Sequence, residues 1–238
     1  MDSSALVEAL KKNVREFHPV VPFTAAKDIL CKLDFTENNH ELKDDILNDT
    51  VKFSEYINRK LTNKSARYGI GGYAEHRTLY RYSKVFDAEK PGEEPRRLHL
   101  GIDIWGKPNT AVMAPLNGIV HSFAFNNAVG DYGATIILTH RLDDISFHTL
   151  YGHLSLNSIK NLQEGNRVEK GDVIAEFGIP AENGHWPPHL HFQIIIDLED
   201  LKGDYPGVSK YSEREKYLSN CPDADMILQM NQYVSGKS

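Results

Sequence analysis

Two stretches of this 238-residue chain place ligand-type side chains at short, fixed spacings. The first is LHLGIDI, with His99 and Asp103. The second is HLHFQI, with His189 and His191. Side chains on a strand alternate between faces with period two. Leu98, Leu100, Ile102 and Ile104 then take one face of the first stretch, and His99 and Asp103 take the other. Gly101 between them leaves space above the backbone. Leu190, Phe192 and Ile194 face one way in the second stretch, and both imidazoles face the other. Imidazole nitrogens and a carboxylate are ligands that Zn²⁺ accepts, and three protein ligands plus a water make an open, catalytic site. No cysteine is near either stretch, which excludes a thiolate site. The competing reading is a half-exposed sheet whose polar face happens to carry histidines. A third stretch, TLYGHLS, sets His153 on a strand of its own with Tyr151 on the same face. Aimed into the same cleft, His153 adds a supporting or catalytic imidazole.

These residues need strands to hold them, and the surrounding sequence supplies strands. From residue 98 to about 197 the chain reads as short β segments with turn signals between them: APLNGIV, GDYGATIILTH, FHTLYGHLS, VEKGDVIAEFG and HLHFQIII. Eight of the eleven histidines lie between His99 and His191, inside this β core. The fold class is therefore mainly β. Helical periodicity is confined to the first part of the chain. Leu6, Leu10, Val14 and Phe17 form one stripe after Ser3 and Ser4, which suit a cap. Leu42, Ile46, Thr50, Phe53, Ile57 and Leu61 form a second. Such stripes are the packing faces of helices laid on a larger body. The expected organisation is a helical N-terminal extension over residues 1–67, a β domain over 68–200 and a C-terminal loop and short helix over 201–238. In RYGIGGYAEHRTLYRYSKVF, Tyr68, Tyr73, Tyr80, Tyr82 and Phe86 are interleaved with Arg77 and Arg81. That pattern suits the lining of a substrate groove or a strand pair covering the core.

Composition narrows the class. The chain is 40% apolar and 25% charged, with a net charge of -6 and no long basic run. This argues against nucleic acid or an anionic membrane as the main partner. Two cysteines, Cys31 and Cys221, do not make a disulfide framework, and two free buried thiols are expected. The start, MDSSALVEALKKNVREF, shows no secretory signal, and no stretch is long enough to span a membrane. A cytoplasmic protein is expected, or a periplasmic or secreted one if a leader has been removed.

The segments HLGIDIW, APLNGIV, GDYGATIILTH, LYGHLS, VEKGDVIAEFG and PPHLHFQI occur in the order and spacing seen in the lysostaphin/LytM-type zinc endopeptidases, which cut peptide cross-links of bacterial cell walls. Residues 98 to about 197 resemble that family. The resemblance implies a compact antiparallel β-sheet core of the duplicated hybrid or barrel-sandwich type, with a groove across one sheet. It implies one Zn²⁺ per chain on His99, Asp103 and His191, and a catalytic pair in His153 and His189. It implies a peptide or muropeptide substrate. Zn²⁺ lowers the pKa of a bound water and polarises the scissile carbonyl. An imidazole such as His189 takes the proton of that water, and His153 stabilises the oxyanion or passes a proton to the leaving amine. Tyr151, Trp186, Arg77 and Arg81 are the expected substrate contacts.

The chain departs from the family pattern in two stretches, and no export signal or wall-binding module is visible in it. The loop before HLH is ENGHWPP, where Trp186 and two prolines make a stiffer, bulkier rim. Gln193 follows HLHF where Glu is usual. His121, His140 and His148 read as satisfied strand residues, and His185 as a loop residue beside the site. A non-hydrolytic metal-binding or scaffold module is the main alternative, although all three ligand positions and both catalytic histidines are kept. A phosphotransfer or carrier domain is a third, but such a domain has no use for an Asp beside its His.

Overall fold

A computed structural model describes residues 3–88, 90 and 92–235, with the side chains of Tyr82 and Ser235 outside the described set. One mixed sheet of nine strands carries the molecule. Its strands are β1 (Leu30–Leu33), β2 (Tyr68–Gly71), β3 (Ile102–Trp105), β4 (Gly118–Asn126), β5 (Gly133–Leu142), β6 (Ile145–Leu154), β7 (Arg167–Val168), β8 (His189–Ile195) and β9 (Val234–Ser235). They lie side by side in the order β9-β1-β2-β3-β8-β6-β5-β4-β7. All pairs are antiparallel except those of β1 with β9 and with β2, which are parallel. The fold is mainly β, as the sequence implied.

The central strands are rich in Ile, Leu, Val and Phe because both faces of the sheet are covered. Leu190, Phe192, Ile194 and Ile195 of β8 are fully buried, as are Ile102 and Ile104 of β3 and Ile137 and Leu138 of β5. Burying one such side chain contributes about 1.5–3 kcal/mol. On one side α1 (Ser3–Lys12) lays Leu6 and Leu10 onto the main core. On the other, α2 (Thr50–Asn63) packs Phe53, Tyr56, Ile57 and Leu61 with Phe35, Trp105 and Trp186.

The first 67 residues are not helical throughout. The stripe that begins at Leu42 is broken at Asn48 and Asp49 rather than forming one helix. Asp49 caps α2, its carboxylate accepting from the amides of Val51 at 3.0 Å and Lys52 at 3.2 Å. A carboxylate that caps one helix cannot sit inside a longer one. The stretch also contains β1, which joins the main sheet. Similarly, α1 stops at Lys12 and Val14 begins a single 3₁₀ turn.

LHLGIDI is not one strand either. Leu98–His99 pairs with Val208–Ser209, and the chain bends at Leu100 and Gly101 before β3 begins. Both faces there are buried. His99 and Asp103 still converge, because a third side chain occupies the space over Gly101. A Cβ at that position would meet the His191 ring and the Phe192 carbonyl at 2.7 Å.

Candidate metal centre

Strand register assembles the site. His191 on β8 lies opposite Asp103 on β3 and opposite Gly152 on β6. Asp103 in turn lies opposite Gly71 on β2. Directly opposed residues of an antiparallel pair put their side chains on the same face. One row across four strands therefore reads Gly71, Asp103, His191, Gly152, with two ligand-type side chains flanked by two glycines. His99 enters from its own short strand. His99 Nε2 lies 2.9 Å from His191 Nδ1 and 3.2 Å from Asp103 Oδ1. His191 Nδ1 lies 3.1 Å from Asp103 Oδ1.

The hydrogen bonds outside this triangle fix what faces inward. His99 Nδ1 is 2.9 Å from the Gly72 carbonyl, which can only accept. Its Nδ1 therefore carries the hydrogen and Nε2 is a lone pair. His191 Nε2 is 2.9 Å from Gln193 Oε1, so its Nδ1 is also a lone pair. Gln193 is itself held, its amide nitrogen donating to the Pro206 carbonyl at 3.2 Å and toward Cys221 Sγ at 3.2 Å. Asp103 binds Arg77 through Oδ2, which leaves Oδ1 in the triangle. Burial alone would raise the Asp103 carboxyl. The neighbouring His99, Arg77 and His191 outweigh it and hold the group well below the usual carboxylate range. Burial, with help from the Arg77 charge, pushes His99 down to about 4.

Three lone-pair atoms thus face one another at 2.9–3.2 Å. They repel unless a cation lies among them. The ligands of a tetrahedral zinc with bonds of about 2.0–2.1 Å are separated by about 3.3 Å. The donor set of two nitrogens and one carboxylate oxygen, its spacing and its outer hydrogen bonds all fit Zn²⁺. Among the described residues this is the one cluster of three or more His, Cys, Asp or Glu able to hold a metal.

Beside the triangle lie His153 and His189, their rings 4.1 Å apart. His189 stacks flat on Trp105, at 3.9 Å and 9°. Its Nδ1 donates to the Pro187 carbonyl at 2.8 Å. His153 Nδ1 donates to the Asn183 carbonyl at 2.8 Å. Each ring therefore keeps Nε2 as an acceptor. Burial pushes His189 down to about 4 and His153 well below its ordinary value, so both are neutral near pH 7. Two imidazoles fixed in this tautomer are proton acceptors first. Either one donates only after it has taken a proton.

A cavity of about 280 Å³ joins these groups. Its walls include Asp103, His153, His189 and His191, with Trp186, Trp105, Tyr80 and Tyr132. Trp186 meets both His153 and His189 edge-on, at 6.0 and 6.1 Å. The loop that carries it is clamped by Asn183, whose side chain bonds the Trp186 amide at 3.0 Å and carbonyl at 3.1 Å.

Three expected substrate contacts are placed differently. Tyr151 does not share a face with His153. A bulge between Tyr151 and Leu154 and a left-handed backbone at His153, φ 63°, break the alternation. Tyr151 is fully buried in the core against Phe192, 5.4 Å away. Arg81 is exposed on a 3₁₀ turn and does not line the cavity. Arg77 lines it, but its guanidinium is engaged with Asp103, Glu75, Tyr80 and Gly72. Sequence reasoning missed Tyr132, which lines the cavity with its hydroxyl 3.4 Å from His191 Nε2. Its signal was present in GDYGATIILTH. The carbonyls of Gly72, Asn183 and Pro187 have no sequence signal.

A mainly β fold with a buried cluster of two histidines and one aspartate defines a candidate metal-binding domain. Residues 97–202 match the model of peptidase family M23. An uncharacterized metalloprotease of Haemophilus influenzae is 30% identical over 138 residues, 56% of this chain and 27% of that protein. An L-Ala–D-Glu endopeptidase of Bacillus subtilis is 28% identical over 141 residues, 55% of this chain and 41% of that protein. The chain thus spans less than half the length of either relative. Among solved structures, LytU is 28% identical, with 59% of this chain and 83% of that chain covered and a TM-score of 0.35. The lysostaphin catalytic domain of Staphylococcus simulans is 21% identical, with 68% and 97% covered and a TM-score of 0.38.

Proposed function

We propose that this chain is a zinc-dependent endopeptidase that hydrolyses peptide bonds, with peptidoglycan-type or wall-derived peptides as substrate. The observation that carries the reading is the convergence of His99 Nε2, Asp103 Oδ1 and His191 Nδ1 beside two acceptor imidazoles in one cavity. Zinc on those three atoms would supply a Lewis acid and an activated water. His189 accepts a proton at Nε2, with Pro187 and Trp105 holding its ring. His153, whose ring centroid lies 4.1 Å from that of His189, is a second acceptor at Nε2 and, once protonated, donates toward the oxyanion or the leaving amine. Trp186 and the clamped loop exclude water from one wall. Tyr132 and Tyr80 line the cavity with hydroxyls that suit a peptide backbone. The name of the Bacillus subtilis relative makes L-Ala–D-Glu peptides the first substrates to try.

Elemental analysis of wild type and His191→Ala tests the reading, followed by a hydrolysis assay on muropeptides. About one zinc per wild-type chain is expected, lost in the variant, with cleavage only in the wild type. A wild-type protein that binds no zinc when supplied with it defeats the proposal.

A further inference from the structure

The triangle depends on a segment that lies upstream of the family-matched residues. Arg77 is 1% exposed, yet it is a full cation. Such a group survives burial only if its donors are satisfied and its charge is balanced. Here Nε donates to Glu75 Oε2 at 2.8 Å, Nη1 to Tyr80 OH at 3.1 Å and to Asp103 Oδ2, and Nη2 to the Gly72 carbonyl at 3.3 Å. The guanidinium also lies over the Phe35 ring at 5.1 Å. Space for it exists because position 71, opposite Asp103 in the sheet, is glycine: a Cβ there would meet Nη2 at 2.8 Å. The Gly72 carbonyl that accepts from Arg77 also accepts from His99 Nδ1. One guanidinium therefore touches the outer oxygen of one ligand and the carbonyl that orients another.

We propose that Arg77 is a positioning residue of the metal centre, holding Asp103 to a single inward oxygen and fixing the Gly72 carbonyl behind His99. The proposal rests on the metallopeptidase reading. A carboxylate free at both oxygens can bind a metal through both, whereas Arg77 occupies Oδ2. The planar fork matters as well as the charge, because it spans Asp103, Gly72 and Glu75 at once. The segment from Gly71 to Arg77 is in this sense part of the centre, although it lies outside residues 97–202.

Arg77→Lys separates the two contributions, since it keeps the positive charge and removes the fork. Zinc affinity would be measured by competition with a chelator of known affinity. Coordination would be read from the visible absorption of the Co²⁺-loaded protein, with circular dichroism reporting the fold. Loss of such a supporting contact typically weakens metal binding by about 10–100-fold. The expected result is a folded variant with zinc affinity lowered in that range. Its Co²⁺ absorption should be weaker as Asp103 becomes able to bind through both oxygens. Affinity within about twofold of wild type with an unchanged Co²⁺ spectrum overturns the proposal. If Arg77→Lys does not fold, Glu75→Gln decides. It releases the far side of the guanidinium and should weaken zinc binding several-fold, and no change in affinity or spectrum overturns the proposal. A wild type that binds no metal removes the underlying metallopeptidase reading, whereas equal binding by wild type and variants removes only the role of Arg77.

Discussion

His153 and His189 differ from the triangle in what a truncation should do. Neither contributes an atom to the cluster of His99, Asp103 and His191. Their Nδ1 atoms are held by backbone carbonyls, so their only free chemistry is at Nε2. His189→Ala and His153→Ala should each keep about one zinc per chain. Each should lose about 10²- to 10⁴-fold in peptide hydrolysis, the usual contribution of a positioned proton-transfer group. Zinc content and initial rates on a cleaved peptide, measured on the same preparations, check this. Full activity in His189→Ala would assign the proton transfer elsewhere. Full zinc loss in either variant would make that histidine a ligand. The buried state of both rings favours the neutral form, so the rings are ready to accept a proton near neutral pH.

Elements bring these residues together through register and through glycines that make room. Gly101 illustrates the constraint. The His191 ring and the Phe192 carbonyl occupy the volume its side chain would fill. Backbone cannot yield as a flexible side-chain tip can, so Gly101→Ala should displace β8 against the bend before β3. Overpacking of this kind typically costs about 1–3 kcal/mol. Here zinc affinity should fall more steeply than denaturant stability, because His191 is the displaced group. Urea unfolding and chelator competition on the same variant separate the two, and unchanged zinc affinity would contradict this account. Alternation and residue type mark His99, Asp103, His189 and His191 alike as ligand candidates, and only the family resemblance singles out His191 over His189. Simple alternation does not capture how His99 and Asp103 meet, since the chain bends between them rather than running as one strand. Tyr151 was misplaced because a one-residue bulge leaves no trace in an alternating pattern. The role of Arg77 was hidden because its partner Asp103 is 26 residues away in the chain. Strand β1 was masked by the helical stripes on either side of it.

Across the whole molecule, buried neutral histidines tie stability to pH. His140 lies outside the site, 1% exposed, with Nδ1 donating to the Asn117 carbonyl at 2.9 Å and Nε2 2.7 Å from Thr149 Oγ1. Burial pushes it down to about 4. Burial also pushes the less deeply enclosed His148 down to about 4, aided by nearby His121 and His140. An unfolded imidazole titrates near 6.5. Between about pH 6.5 and pH 4 the unfolded chain therefore binds more protons than the folded one, and stability must fall as pH falls. Above about 6.5 the His140 contribution is fully present. Below about 4 it is gone, and the curve flattens for this group. Its size is about 3 kcal/mol, from 1.36 kcal/mol per tenfold change in proton affinity. His99 and His189, also held near 4, act in the same direction in the metal-free protein. Asp103 acts at lower pH, since its carboxyl is held down and its contribution is lost only as pH falls below the ordinary carboxylate range. Chemical unfolding of the chelated protein from pH 7.5 to pH 4 should show a steady loss of stability. His140→Gln should be less stable at pH 7.5 but show a shallower decline. A parallel decline in wild type and variant would mean that His140 already binds its proton in the folded state. Added zinc should raise stability across this range, because it binds the folded arrangement of His99, Asp103 and His191.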